Sequence, residues 1–489
     1  MSRKYGLFLF SVVSSLAILV LVGCGGSSVL APRPTGGFTD ANLSGMYSFL
    51  ITGTNTGGFF GIAGNVQADG NGNITSGTLD INSPGTVGVQ TNVGVSGTYI
   101  VHADGRGAAA LKTSFGTINV DFVLLSNQHG LIIHFDNNAT ASGSIDQQTS
   151  SAFSLTSLAG NLVFNVGGVD GAGQNPEASV GLVTVDASGN ISSGVQDTND
   201  NGTPSANIAV TPAAGAMIAP NPANGRGTVA ITTAAGVRNF AFYVIGANQI
   251  RMIETDTAPI LAGDAFRAST TPISGSFAFT ISGAAAATAF AAGGIIDTDG
   301  AGNVLNTSVE DVNSGGTINT GVGLSGTYSV AANGRGVLTL NSGTINDAIY
   351  PTTAGIQLLR IDNNVVASGT AFQQSGSFSN ASINGRFVGG VTGVDLVFAS
   401  EFDSVLQFSA DGNGNINGAM DLNDGGALTA GLALSGTYNL SSNGRSSSPG
   451  ILKTAARNLN VVYYAVNSSR VLFIEIDNSV AVGAFQQQQ

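Results

Sequence analysis

Ile118, Val120, Phe122 and Leu124 alternate with Asn119, Asp121, Val123 and Leu125, the period of two that marks a β-strand. Leu131, Ile133 and Phe135 alternate in the same way with Ile132, His134 and Asp136. Between such runs stand Asp104-Gly105, Asn224-Gly225, Asn333-Gly334 and Asn443-Gly444, pairs that suit the positive φ angles of tight hairpin turns. Beyond the first two dozen residues no long stretch carries a helical period. Short strands with frequent turns predict an all-β chain.

The pattern recurs four times. Gly45-Met46-Tyr47, Gly160-Asn161-Leu162, Gly275-Ser276-Phe277 and Gly385-Arg386-Phe387 open the copies, at glycine spacings of 115, 115 and 110. Next come Asp69-Gly70-Asn71-Gly72-Asn73, Asp186-Ala187-Ser188-Gly189-Asn190, Asp299-Gly300-Ala301-Gly302-Asn303 and Asp411-Gly412-Asn413-Gly414-Asn415. An Asp-x-Asn follows each, at Asp80/Asn82, Asp197/Asn199, Asp311/Asn313 and Asp421/Asn423. Ser-Gly-Thr-Tyr then appears in copies one, three and four (Tyr99, Tyr328, Tyr438), where copy two has Gly215-Ala216-Met217. Each copy has a Gly-Arg turn, at Arg106, Arg226, Arg335 and Arg445, and copies one, three and four end on Gln-Gln, whereas copy two ends at Phe266-Arg267. The copies are placed at 43–148, 158–267, 273–374 and 383–489, with Ser/Thr-rich links between them.

About eight antiparallel strands per copy predict an up-and-down barrel or a sandwich, closure being the way to remove exposed strand edges. The Gly-x-aromatic opening and the Gly-Thr-Tyr strands resemble avidin-type and lipocalin-type barrels. That resemblance implies the shape alone, since avidins enclose biotin with tryptophans and this chain has none. A weak half-repeat (Gly45 to Gly97, Gly275 to Gly326, Gly385 to Gly436) suggests a rival, an eight-bladed propeller. Copies in phase with the chain favour four separate units.

Composition narrows the function. The formal charge is −13 and lysine occurs only at Lys4, Lys112 and Lys453, so no basic stripe is available for nucleic acid. Hydrophobic residues make up 43% of the chain, ample for packed cores despite 70 glycines. Cys24 is the single cysteine, and it ends Leu21-Val22-Gly23-Cys24 after Arg3, Lys4 and an apolar run from Gly6 to Val22. This segment resembles the signal of bacterial lipoprotein precursors, with residues 1–23 as signal peptide and 24–42 as a lipidated, flexible tether. The resemblance implies cleavage before Cys24, a thioether-linked diacylglycerol on its sulfur and an acylated amino group. Gly25 in place of aspartate implies, by analogy with lipoprotein sorting, the outer membrane or cell surface. Loss of Arg3 and Lys4 with the signal takes the charge to about −15.

Other chemistry has plainer readings. Asp69, Asn71, Asn73, Thr75 and Asp80 match calcium-loop positions, but Ile74 stands where that loop needs glycine, Ala301 and Leu422 break the series, and a hairpin turn explains all four copies. His102, His129 and His134 lie in copy one only. Glu254, Arg360 and Glu475 replace His134 in the others, which reads as an outward-facing position. Asp69 with Asp80, or Glu310 beside Asp311, are the candidate acid pairs for glycosidase work, read as solvated loop carboxylates. The four arginines read as solvent-extended, or paired with a nearby aspartate. No catalytic, cofactor or metal residue is therefore assigned, and Cys24 is the one site residue. The expected protein is a non-catalytic binding, adhesive or structural surface module with glycan, matrix or protein partners. The alternative is a lipocalin-like carrier of a small apolar ligand. Large residues at alternating positions, such as Phe122, Phe135, Tyr463 and Phe473, would fill a small barrel and favour the first. A fragment spanning 383–489 is expected to fold alone, giving dispersed NMR amide signals, whereas an unfolded fragment would favour propeller-like closure.

Overall fold

The computed structural model describes residues 37–489 except 86, 172, 173 and 287, so Cys24 and its signal lie outside the described residues. Copy one runs up and down through Ser44–Asn55, Gly58–Asp69, Asn73–Ser83, Gly88–Gly94 with Ser96–Val101, Arg106–Thr113, Gly116–Leu124, His129–His134 and Ala139–Gln147. Its last strand pairs with its first, and its second with its third, so the eight-stranded circuit closes. Copies three (Gly275–Gln373) and four (Asn384–Gln487) are closed barrels of the same order. Copy two has no ladder between Thr203–Ala209 and Met217–Ile218; a bridge from Ile191 to Ala213 and the Met217 amide on the Gly189 carbonyl span the gap. The units are thus up-and-down barrels and not four-stranded propeller blades.

One side of each strand fills the barrel. Tyr47, Phe49 and Ile51 of copy one meet Ile118, Val120 and Phe122 in its core, and Phe387, Phe408, Tyr463, Phe473 and Phe485 form an aromatic cluster in copy four. Tyr99, Tyr328 and Tyr438 lock the chain's entry, donating to the carbonyls of Leu43, Ile273 and Ile383. Gly143, Gly263, Gly369 and Gly483 recur on the last strand, where a Cβ would lie within 3 Å of the first strand's backbone or, in copy four, of the Phe473 ring.

The other side of strands one to three is also buried, because each barrel lies against strands six to eight of the next. Leu50 and Ala63 pack on Ala241, Tyr243 and Ile253; Val180 and Leu182 on Tyr350 and Leu359; Ala291 and Ile295 on Tyr464 and Ile474. Val388 and Val405 of copy four then pack on Val123, Leu131 and Ile133 of copy one, which closes the four barrels into a ring. Near the centre, Phe59, Val169 and Ala284 from three copies share one apolar cluster. The two-sided burial explains why Val123 and Leu125 are apolar on a face that alternation alone assigns to water. It also reverses the reading of the next strand: Leu131, Ile133 and Phe135 lie at the joint and do not fill the barrel, whereas Ile132 and His134 face inward.

Antiparallel order puts the start of every copy, the Asp-Gly and Gly-Arg turns and the inter-copy links at one end of the ring. Phe38 is tied there, its amide on the Ala103 carbonyl, as is Gln489, its amide on the Leu125 carbonyl. The hairpins at Asn55–Gly58, Asp170–Asn175, Ala285–Thr288 and Asp395–Ser400 lie at the opposite end. Gly369→Val should lower stability by about 1–3 kcal/mol through overpacking, read as a lower urea midpoint with an unchanged slope.

Candidate functional site

The third strand of each copy carries the Asp-x-Asn, and its aspartate points out of the barrel into the neighbour. Asp80 accepts from the Asn92 amide of its own copy at 3.0 Å, from Arg226 Nε and Nη2 of copy two at 2.8 and 2.6 Å, and from the Tyr243 hydroxyl at 2.5 Å. Asp197 holds the Asn207 amide, Arg335 and Tyr350 in the same way, and Asp311 holds the Gly321 amide, Arg445 and Tyr464. Asn92, Asn207 and Gly321 have positive φ at irregularities in the ladder, which turns their amides toward the carboxylate. Burial raises Tyr243 and Tyr464 well above the usual phenol range, so these hydroxyls keep their protons and donate.

The asparagine two residues on grips the neighbour's backbone. Asn82 Nδ2 donates to the Glu254 and Asp256 carbonyls, Asn199 to Arg360 and Val365, Asn313 to Glu475 and Ser479, and Asn423 to His134 and Ala139. The second glutamine of each Gln-Gln does the same at the other end. Gln148 reaches the Val244 carbonyl, Gln374 that of Ala465, and Gln488 of copy four that of Leu124 in copy one.

The fourth joint is different. Asp421 accepts from the Gly431 amide and from Arg106 Nη1 at 3.0 Å, but Arg106 Nε is held by Asp104 of its own turn, and Val123 stands where the other joints have tyrosine.

Several sequence readings change. Asp80, Glu310 and Asp311 are not solvated loop carboxylates: all three lie on strands, 1%, 3% and 0% exposed. Asp69 is half-buried at the end of its strand, beside the turn, so neither acid pair converges on a common space. The four arginines do not extend into solvent; each pairs with an aspartate of the preceding copy in the ring. His134 is buried, not outward-facing, and so are its counterparts, because this position lies on the inner face at the barrel mouth. Arg360 bonds Asp347 at 2.8 Å and lies over the Phe290 ring, with Glu310 at 3.7 Å. Glu254 lies by Arg238 and Glu177, and burial pushes it up to about 9. His134 has Asp136 at 3.5 Å and the edge of Phe60, and burial lowers it.

The turn aspartates behave as hairpin chemistry requires. Asp69 Oδ1 accepts from the Asn71 and Asn73 amides and Oδ2 from Asn73 Nδ2, bonds that hold the carboxyl below its usual range. Asp186, Asp299 and Asp411 repeat the arrangement. Asp80 turns away to Arg226, so the five residues of the calcium-loop series do not gather. His102 is exposed, whereas His129 is buried with Asp146 at 2.7 Å, and Asp146 in turn pairs with Arg251 of copy two. Among the described residues no group of three or more His, Cys, Asp and Glu is placed to hold a metal ion.

The joint was missed in the sequence although both halves recur in every copy. Equal recurrence of an acid and a base was the signal. No family model matches this chain, and no curated protein matches it either. Arg335→Ala leaves Asp197 buried without its cation and should cost about 3–5 kcal/mol, whereas Arg106→Ala, at a singly bonded joint, should cost about 1 kcal/mol. Urea midpoints of the two variants provide the measurement.

Proposed function

We propose that this chain is a lipid-anchored envelope protein whose ring of barrels is a non-catalytic binding or adhesive surface module. The observation that carries this reading is the two-ended ring. The described chain begins at the end that holds every inter-copy link, so a lipid on Cys24 would put that end toward the membrane. The opposite end then faces outward. It presents four largely exposed, uncharged arms, at Gly88–Gly94, Thr203–Ala209, and the starts of Thr317–Val330 and Ala427–Thr437. Val397 and Phe398, 71% and 75% exposed, project from the same end. Four similar surfaces on one body suit weak, repeated contacts with a glycan, matrix or protein partner, because copies gain avidity.

Filled interiors favour this reading over an apolar cargo. The void between Phe49, Leu111, Phe122 and Ile132 in copy one is about 30 Å³, against about 300 Å³ or more for a small-molecule site. Cys24→Ala should move the protein from the membrane to the soluble fraction; a variant that still sediments with membranes would overturn the anchor. Mass spectrometry of solvent extracts from the purified protein should find no stoichiometric apolar ligand, and finding one would favour the carrier.

A further inference from the structure

Three of the four joints share the Asp–Arg–Tyr contact, although the one between copies one and two adds a buried cluster of Asp146, Arg251 and Asp264, and this makes the fourth informative. Where copies two, three and four have Ala241, Ala348 and Val462 on the sixth strand, copy one has Asp121. Where copies one, two and three have Gly61, Ala178 and Ala291 on the second strand, copy four has Asp403, and Glu401 takes the place of Phe59, Pro176 and Ala289. All three carboxylates fall at the contact of copy four with copy one. That joint is also the one that lacks the tyrosine and shares its arginine.

We propose that the joint between copies four and one is a pH-sensitive latch that closes the ring in acid and releases it toward alkaline pH, while the joints between copies two and three and between copies three and four stay shut.

The groups around the latch support this. Asp403 is fully buried, and no hydrogen bond closes onto either of its oxygens. Ser142 of copy one and Thr392 and Glu401 of copy four lie against it, and burial pushes it up to about 7. Glu401 is bonded by the Thr54 hydroxyl at 2.6 Å. Burial, followed by repulsion from Asp421, pushes Asp121 up to about 7 against the pull of Arg106. The remaining ionisable groups on these strands are engaged elsewhere or distant from it. His129 and Asp146 pair with each other and with Arg251, His134 lies by Asp136 inside the barrel, Asp395 and Asp424 bind Arg457, and Arg386 is exposed.

The sign follows from linkage. In the open ring the two aspartates regain ordinary values near ~4, whereas the closed joint keeps them protonated to about 7. Between these limits the closed state binds more protons. Closure therefore weakens by up to about tenfold per pH unit for each carboxylate, and the loss is complete above about pH 7. Opening would uncover Val388 and Val405 on one side and Leu131 and Ile133 on the other.

Hydrogen exchange on the full chain in detergent tests the latch, with rates corrected for intrinsic pH dependence. Segments 120–134 and 386–409 should exchange at least tenfold faster at pH 8 than at pH 5, while the matching segments of the joint between copies three and four, 461–475 and 276–298, should not. Asp121→Ala with Asp403→Ala, the residues other copies carry, should abolish the difference. Asp121→Asn with Asp403→Asn provides the same test should the alanine pair misfold. Equal behaviour at the two joints, or a pH response that survives in the neutral variants, would overturn the proposal.

Discussion

The ring depends on a carboxylate that belongs to one barrel and is neutralised by the next. Asp197, at 0% exposure in the ring, is taken out of water only where copy three covers it, and Arg335 and Tyr350 of copy three supply the partners without which that burial would be costly. The same aspartate caps an amide of its own ladder, at Asn207, so one side chain fixes both the shape of its arm and the position of its neighbour. Asn199 adds backbone bonds two residues away, and the apolar outer faces supply the area. Polar specificity and hydrophobic burial thus act on the same strands. The aspartate and asparagine fix the register, and Val180, Leu182, Tyr350 and Leu359 remove apolar surface from water.

This arrangement explains the composition. Charged residues are 9% of the chain, and many of them are consumed at joints and barrel mouths. Glycine is frequent because the hairpin turns need positive φ, as at Gly105 and Gly225, and because the last strand crosses the first too closely for a Cβ, as at Gly369. No disulfide is needed when each barrel packs the outer faces of six of its eight strands against its neighbours.

Much of the fold was legible in the sequence. Period-two alternation over Ile118–Leu124 identified the strand and its inner face, Asp-Gly and Asn-Gly identified the hairpins, and the repeat of Gly45, Asp69 and Arg106 identified the copies. The outer face was not legible, because alternation separates two sides without saying which neighbour covers either. His134 shows the limit. A position that accepts His, Glu and Arg looks solvent-exposed when only residue identity is compared, yet each finds its own partner inside a barrel mouth: Asp136 for His134, Arg238 for Glu254 and Asp347 for Arg360. Asp80 was misplaced for a related reason, since its partner Arg226 lies in another copy and no local spacing connects them.

Ring closure also breaks the equivalence of the copies. Three joints are held by a link in the chain as well as by their side chains, but copies four and one meet with no peptide between them. An unlinked joint forms at a lower effective concentration than a linked one, so equal strength would have required better contacts there. The contacts are instead poorer: Val123 for tyrosine, one arginine bond for two or more, and Asp121 and Asp403 where the other copies have small apolar residues. Each of these substitutions weakens the same joint, and none of them disturbs a barrel core. The chain thereby keeps four rigid barrels while leaving one boundary between them whose stability depends on conditions outside.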